Sequence, residues 1–159
     1  MNKIIIKSIQ YILLLVLHSA VAAENPLTDG NESTICYSGI ENRHEGENCI
    51  EKKWSNSNKD VNREFKKTLN AIKNNPNYTD PFNSKSDESR ASVYQKRLLQ
   101  SQETWEKYKK EFCLAIASAI GDEDFDYQPT IKQCEINMNK RRIEEINMMG
   151  ETQPSLPAS

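Results

Sequence analysis

The sequence predicts an all-α fold, a disulfide-stapled antiparallel helical hairpin with a third, C-terminal helix packed on it. Three observations carry this. Large apolar side chains recur at helical spacing in three long stretches. Four cysteines follow an export-type N-terminus, and an oxidising compartment makes two disulfides of them. The connection between the first two stretches is short enough to make them antiparallel neighbours.

Residues 1–23 have the three parts of a cleavable secretory signal. Lys3 and Lys7 supply the positive start, Ile9 to Leu17 the apolar run, and Ser19 to Ala23 the small residues at which cleavage follows Ala22 or Ala23. A retained membrane span is the rival, but spanning takes about 20 apolar residues. Lys7, Ser8 and Gln10 leave too few. No stable membrane insertion and no lipid-anchor cysteine are therefore expected. Polar residues 24–34 form a flexible leader, 35–149 the helical domain, and 150–159, with two prolines, a disordered tail.

The first helix is expected over residues 47–74. Ile50, Trp54, Val61, Phe65, Leu69 and Ile72 follow at steps of 4, 7, 4, 4 and 3, one helix face. Ser55 to Asn58 form a weak point. Asn74-Asn75-Pro76 ends the helix, because the residue before proline disfavours the α conformation. After the loop 75–85, Ser84 or Ser86 caps a second helix over 86–120, with Asp87 and Glu88 in its first turn. Tyr94, Leu98, Trp105, Tyr108, Phe112, Ile116 and Ile120 line one face, and Gly121 suits the C-terminal cap. At about 50 Å this helix should organise the fold. A loop over 121–130 leads to a third helix over 131–149, carrying Ile131, Cys134, Met138, Arg142, Ile146 and Met149.

Counted from residue 80 at the hairpin tip, Cys49 lies 31 residues before and Cys113 lies 33 after. Similar heights favour Cys49–Cys113, with Cys36–Cys134 as the second bridge; the other two pairings stay open. Trp54 and Trp105, 26 before and 25 after, are placed to stack.

Removing the signal leaves 136 residues with 19 basic and 23 acidic groups, a formal charge of −4. Only 42 of those 136 are apolar, a lean core that gains from covalent reinforcement. Basic residues alternate with acidic ones, so no nucleic acid is expected as partner. The acidic balance instead suits a cationic protein.

The motifs resemble those of the LprI-like family of bacterial exported proteins, named after a lysozyme inhibitor. Cys36 and Cys49 stand for its N-terminal cysteine pair. Asp60, Val61-Asn62 and Phe65 stand for its D-x-x-N-x-x-Y-like element. Leu98, Gln102, Trp105 and Tyr108 precede the third cysteine, Cys113, and Arg142 follows Cys134 by eight positions. The resemblance covers about residues 36–147. Phe65 replaces the family's usual tyrosine, and Lys109 stands where an arginine is usual. Lysine cannot reproduce a bidentate guanidinium contact, so a pairing made there should be looser.

Most of these motif residues read as structural. Trp105 belongs on the apolar face, with Gln102 satisfying the indole N–H or a carbonyl of a neighbouring helix. Arg142 either is exposed for recognition or reaches over the hairpin to Asp60 or Glu64. The acidic run Asp122, Glu123, Asp124, Asp126 fails the EF-hand pattern, with Tyr127 and Gln133 where glycine and glutamate are needed. His44 has no paired nucleophile once the cysteines are oxidised, so no enzyme activity and no cofactor are expected.

The resemblance implies an exported, periplasmic or secreted binding protein that engages a lysozyme or another peptidoglycan hydrolase. Two loops are candidates for the contact. Residues 75–85 offer Tyr78, Phe82 and Lys85 to an apolar, carboxylate-lined cleft; residues 121–127 offer Asp122, Glu123, Asp124 and Asp126 to basic groups on its rim. An envelope adaptor binding through an apolar patch of Ile136, Ile143 and Met148 is the competing class. An immunity protein against a cell-wall-degrading toxin shares the physics of the first reading.

Overall fold

In the computed structural model, residues 30–151 are described. They form four helices: α1 (Asn31–Tyr37), α2 (Arg43–Lys73), α3 (Arg90–Ala117) and α4 (Tyr127–Glu151). The expected signal, most of the expected leader and all but the first two residues of the expected tail lie outside the described residues.

The helix α2 starts four residues earlier than its apolar spacing suggested, because the Asn42 side chain accepts a hydrogen bond from the His44 amide and caps it there. Its apolar face is the expected one: Ile50, Val61, Phe65 and Ile72 are buried. Ser55 to Asn58 do not break the helix, since Ser57 and Asn58 are held by side chains from the neighbouring helices. Asn75-Pro76 ends it and leads into a 3-10 turn over Pro76–Tyr78.

The helix α3 begins at Arg90, later than expected, and Ser89 caps it rather than Ser84 or Ser86. Backbone bonds from Phe82 to Glu88 and from Arg90 to Asp80 close the intervening loop on itself, so those residues are not free to start a helix. At its far end the chain turns through Gly121 at φ +85°, a left-handed conformation that glycine adopts without strain. The helix α4 then starts inside the segment expected to be loop. The Asp126 carbonyl accepts from the Thr130 amide, and Pro129 falls within the first turn, where its missing N–H is no loss.

The C-terminal helix, not the second, organises the fold. Residues 133–139 are buried without interruption, which requires neighbours on every side of α4. Helix α2 packs along most of its length, α3 on another side, and α1 against its early turns, while α2 and α3 touch each other less. Three apolar clusters divide the core along the bundle. Cys113, Ala117, Ile131, Cys134 and Met138 join α3 to α4; Phe65, Ile72, Leu98 and Ile146 join all three long helices; Cys36, Ile50 and Ile136 seat α1. The two tryptophans do not stack as expected, because each has other partners: Trp54 donates to Glu135 Oε2 at 2.7 Å, while Trp105 faces Lys109 and Arg142.

Residues 31–34, assigned to the flexible leader, are helical. This short element survives because Cys36 is bonded to Cys49 and because Gly46 lets α1 approach: a Cβ there would stand 2.5 Å from the Tyr37 ring. The expected pairing of Cys49 with Cys113 and Cys36 with Cys134 is therefore incorrect. The bridges are Cys36–Cys49 and Cys113–Cys134, with Cα separations of 5.4 and 5.6 Å. Cys113 faces α4, and Cys49 faces α1.

In chain-entropy terms each bridge contributes about 3 kcal/mol. Cys113 and Cys134 are wholly buried, whereas Cys49 is half-buried. Under mild reductant, alkylation with peptide mass mapping should find Cys36 and Cys49 modified well before Cys113 and Cys134. Simultaneous or reversed modification contradicts this.

Candidate functional site

The motif residues converge on a polar network inside the bundle. Arg142 is buried on α4, where its Nε donates to Gln102 Oε1 at 3.0 Å, its Nη1 to Glu145 at 2.8 Å and its Nη2 to Ser101. It reaches neither Asp60 nor Glu64; Asp60 instead pairs with Arg63 one turn along its own helix. Gln102 passes the chain on, its Nε2 donating to Glu106 at 3.1 Å rather than satisfying an indole. Trp105 lies between the two cations, with Lys109 Nζ 4.8 Å and the Arg142 guanidinium 5.5 Å from its ring centre.

Lys109 occupies the centre and is only 4% exposed. Its three donors go to Asn58 Oδ1 at 3.1 Å, Asn139 Oδ1 at 3.0 Å and Glu106 Oε2 at 3.0 Å. The looser pairing expected of lysine is not seen: a tetrahedral ammonium fits three acceptors arriving from α2, α3 and α4. The amide of Asn139 completes the junction by donating to Ser57 Oγ and Asn58 Oδ1, both at 2.9 Å. Of the other motif residues, Phe65 and Leu98 are core, Asn62 is exposed, and Tyr108 turns outward and stacks on Phe112. These bonds join α2, α3 and α4, so the network holds the helices in register.

A second buried group escaped the sequence reading. Gln133 on α4 accepts from the Ser33 amide at 2.7 Å and donates to Glu32 at 2.9 Å and Asn137 at 3.0 Å, so its carboxamide serves as a cap for α1. Burial alone would raise the Glu32 carboxyl, but hydrogen bonds from Lys140 and Gln133 outweigh it and hold the group below its ordinary value of 4.5.

The two candidate loops stand at opposite ends of the bundle. Helix α2 has 31 residues and is therefore about 45 Å long. It starts beside residue 125, where Arg43 donates to the Phe125 carbonyl, and ends at the 75–85 loop. In that loop Tyr78 turns inward, edge-on to Tyr94 at 5.7 Å, and packs on the core. Phe82 lies under the Arg97 guanidinium at 5.2 Å, and Lys85 is exposed. At the other end Asp122, Glu123, Asp124 and Asp126 are all exposed. Asp124 and Asp126 also shape the turn into α4, the Asp126 amide donating to Asp124 Oδ1 at 2.8 Å. Among the described residues no three His, Cys, Asp or Glu side chains converge to hold a metal ion.

The apolar patch expected on α4 does not form as expected. Ile136 is 1% exposed in the α1–α2 cluster, and Ile143 is half-buried; Met148 alone of the three is well exposed. Only residues 133–139 of α4 are covered all round, so Ile136 has no spare face, while the helix is open again around Met148.

A family model described as lysozyme inhibitor LprI matches residues 36–146, from the first cysteine to the last core isoleucine of α4. The chain belongs to the LprI family. No curated protein and no solved structure matches it. The matched region encloses both disulfides and the whole Lys109–Arg142 network, so this LprI-family domain is the unit described above. Among the described residues no helix is long and apolar enough to cross a membrane, and two disulfides fit an oxidising compartment.

Two predictions follow from the networks of this LprI-family domain. Lys109→Ala takes the ammonium from Asn139 Oδ1, leaves Asn58 Oδ1 only the Asn139 amide, and should lower stability by about 3 kcal/mol in urea unfolding; a loss under about 1 kcal/mol contradicts a central role. For Glu32 the folded pKa lies below the unfolded one, so its stabilisation is complete above about pH 4.5 and disappears as pH falls through the lower folded value. The stability advantage of wild type over Glu32→Gln should shrink on acidification across that window, and a constant difference would argue against the pairing.

Proposed function

We propose that this protein is an exported, non-enzymatic inhibitor that binds a lysozyme or another peptidoglycan-degrading glycosidase and closes its cleft to glycan. The observation that carries this reading is the family match over residues 36–146, the region held by both disulfides. The formal charge of −4 on residues 24–159 supports it, since a net acidic protein is drawn to a basic one at long range. The cleaved signal over residues 1–23, delivery to the periplasm or beyond, and loop-mediated contact belong to the same proposal.

Helix bundles of this kind suit the task mechanically. A rod locked by buried ion and hydrogen-bond networks loses little entropy on docking, so a loop at its end can be presented without first being ordered. The two candidate loops are about 45 Å apart by the length of α2, more than one substrate cleft spans, so a single end enters. Burial of Ile136 removes one of the three residues on which the adaptor reading rests.

Purified residues 24–159, oxidised, should inhibit at least one member of a panel of animal and bacterial lysozymes at near-stoichiometric ratio in a cell-wall lysis assay. Full lysis by every member at a hundredfold molar excess of the protein would refute the inhibitor reading.

A further inference from the structure

We infer that the end of the bundle built by residues 38–47 and 121–126 is the surface that meets the target, with Phe125 as its anchor. The partner it fits is a basic protein with an apolar recess. This rests on the inhibitor reading and names which of the two ends acts. Phe125 is the most exposed large apolar side chain in the described structure, at 74%. It is not loose. The Arg43 guanidinium lies 4.5 Å above the ring centre and also donates to the Phe125 carbonyl, while Glu47 holds the same guanidinium at 2.7 Å. An aromatic ring fixed in an exposed position has little rotamer freedom left to lose, as expected of an interface anchor.

Charge selects the partner. The two segments carry Glu41, Glu45, Glu47, Asp122, Glu123, Asp124 and Asp126 against one arginine. Asp124 and Asp126 shape the turn before α4, and Glu45 sits in the first turn of α2, where a carboxylate favours the helix dipole. Asp122 and Glu123 have no such role: neither makes an ion pair or side-chain hydrogen bond with a described residue. Behind them the Tyr37 hydroxyl is buried with no hydrogen-bond partner among the described residues. The most exposed phenylalanine and a crowd of like charges each oppose stability, and both occur at one end. Local rules broken together mark a surface kept for something other than folding. The opposite loop also has a partly exposed phenylalanine, Phe82, and a buried nitrogen, Arg90 Nε, with no partner among the described residues, but it differs in charge and in the seating of its aromatics. Its charges are mixed, Asp80 is paired with Arg90, and Tyr78 is turned into the core.

The test uses whichever panel lysozyme the wild-type protein inhibits, with egg-white lysozyme as the first probe. Binding is followed by calorimetry and stopped-flow for wild type, Phe125→Ala, Asp122→Lys with Glu123→Lys, and Phe82→Ala with Lys85→Ala. Phe125→Ala should weaken affinity at least tenfold. The charge-reversed variant should associate at least tenfold more slowly at low salt, with a flatter dependence on ionic strength. The Phe82/Lys85 variant should bind within about twofold of wild type, and all variants should keep wild-type helicity and melting, since the altered side chains are exposed. Wild-type inhibition that survives both acidic-end variants, or that is lost in the Phe82/Lys85 variant alone, overturns the assignment and leaves the inhibitor reading intact. Absence of inhibition by wild type across the panel overturns that reading, and this inference with it.

Discussion

Enclosing α4 on every side places a polar helix in the middle of a small protein, and the rest of the structure answers that constraint. Between residues 133 and 142 the buried side chains include Gln133, Glu135, Asn137, Asn139 and Arg142. A buried polar group left without a partner costs roughly 1–3 kcal/mol, more if charged. Asn137 accepts from Gln133 on its own helix. The other four draw a specific group from a neighbour: the Trp54 indole to Glu135, the Glu32 carboxylate and the Ser33 amide to Gln133, Lys109 and Ser57 to Asn139, Gln102 and Ser101 to Arg142. Those partners come from α1, α2 and α3, so satisfying one helix fixes the other three.

Apolar packing alone would not define this arrangement. The core is divided into three modest clusters, and a bundle held by them could slide by a turn at small loss. Sliding by about 5.4 Å would strand Lys109 and Arg142 without acceptors. The networks supply registry, and the disulfides hold two of the helix pairs close enough for the networks to form. The four cysteines and the buried Gln102, Lys109 and Arg142 thus belong to one device.

Much of this could be read from the chain. The three long helices were legible because Ile50, Val61, Phe65 and Ile72, or Ile131, Cys134, Met138 and Ile146, keep helical spacing that nothing interrupts. The central place of α4 was not, since Gln133, Asn137 and Asn139 look like a solvated face until their partners are known. Helix α1 has seven residues, too few for a period, and exists only against Gly46, Cys49 and Gln133. Those two omissions produced the wrong disulfides: a two-helix hairpin aligns Cys49 with Cys113, whereas α1 and α4 each offer one of them a nearer partner. Lys109 was legible only as a departure from arginine, because its acceptors sit 30 and 51 residues away. Phe125 was overlooked among the acidic residues that surround it.

The order of the bridges bears on how the chain matures. First pairs with second and third with fourth, across 13 and 21 residues, the connectivity with the shortest loops of the three that four cysteines allow. A polypeptide threaded through a translocation pore from its N-terminus presents its thiols in that same sequence. On the export proposed above, an oxidase joining each new thiol to the one still waiting makes the native set directly, so that route calls for an electron acceptor and not for a disulfide isomerase.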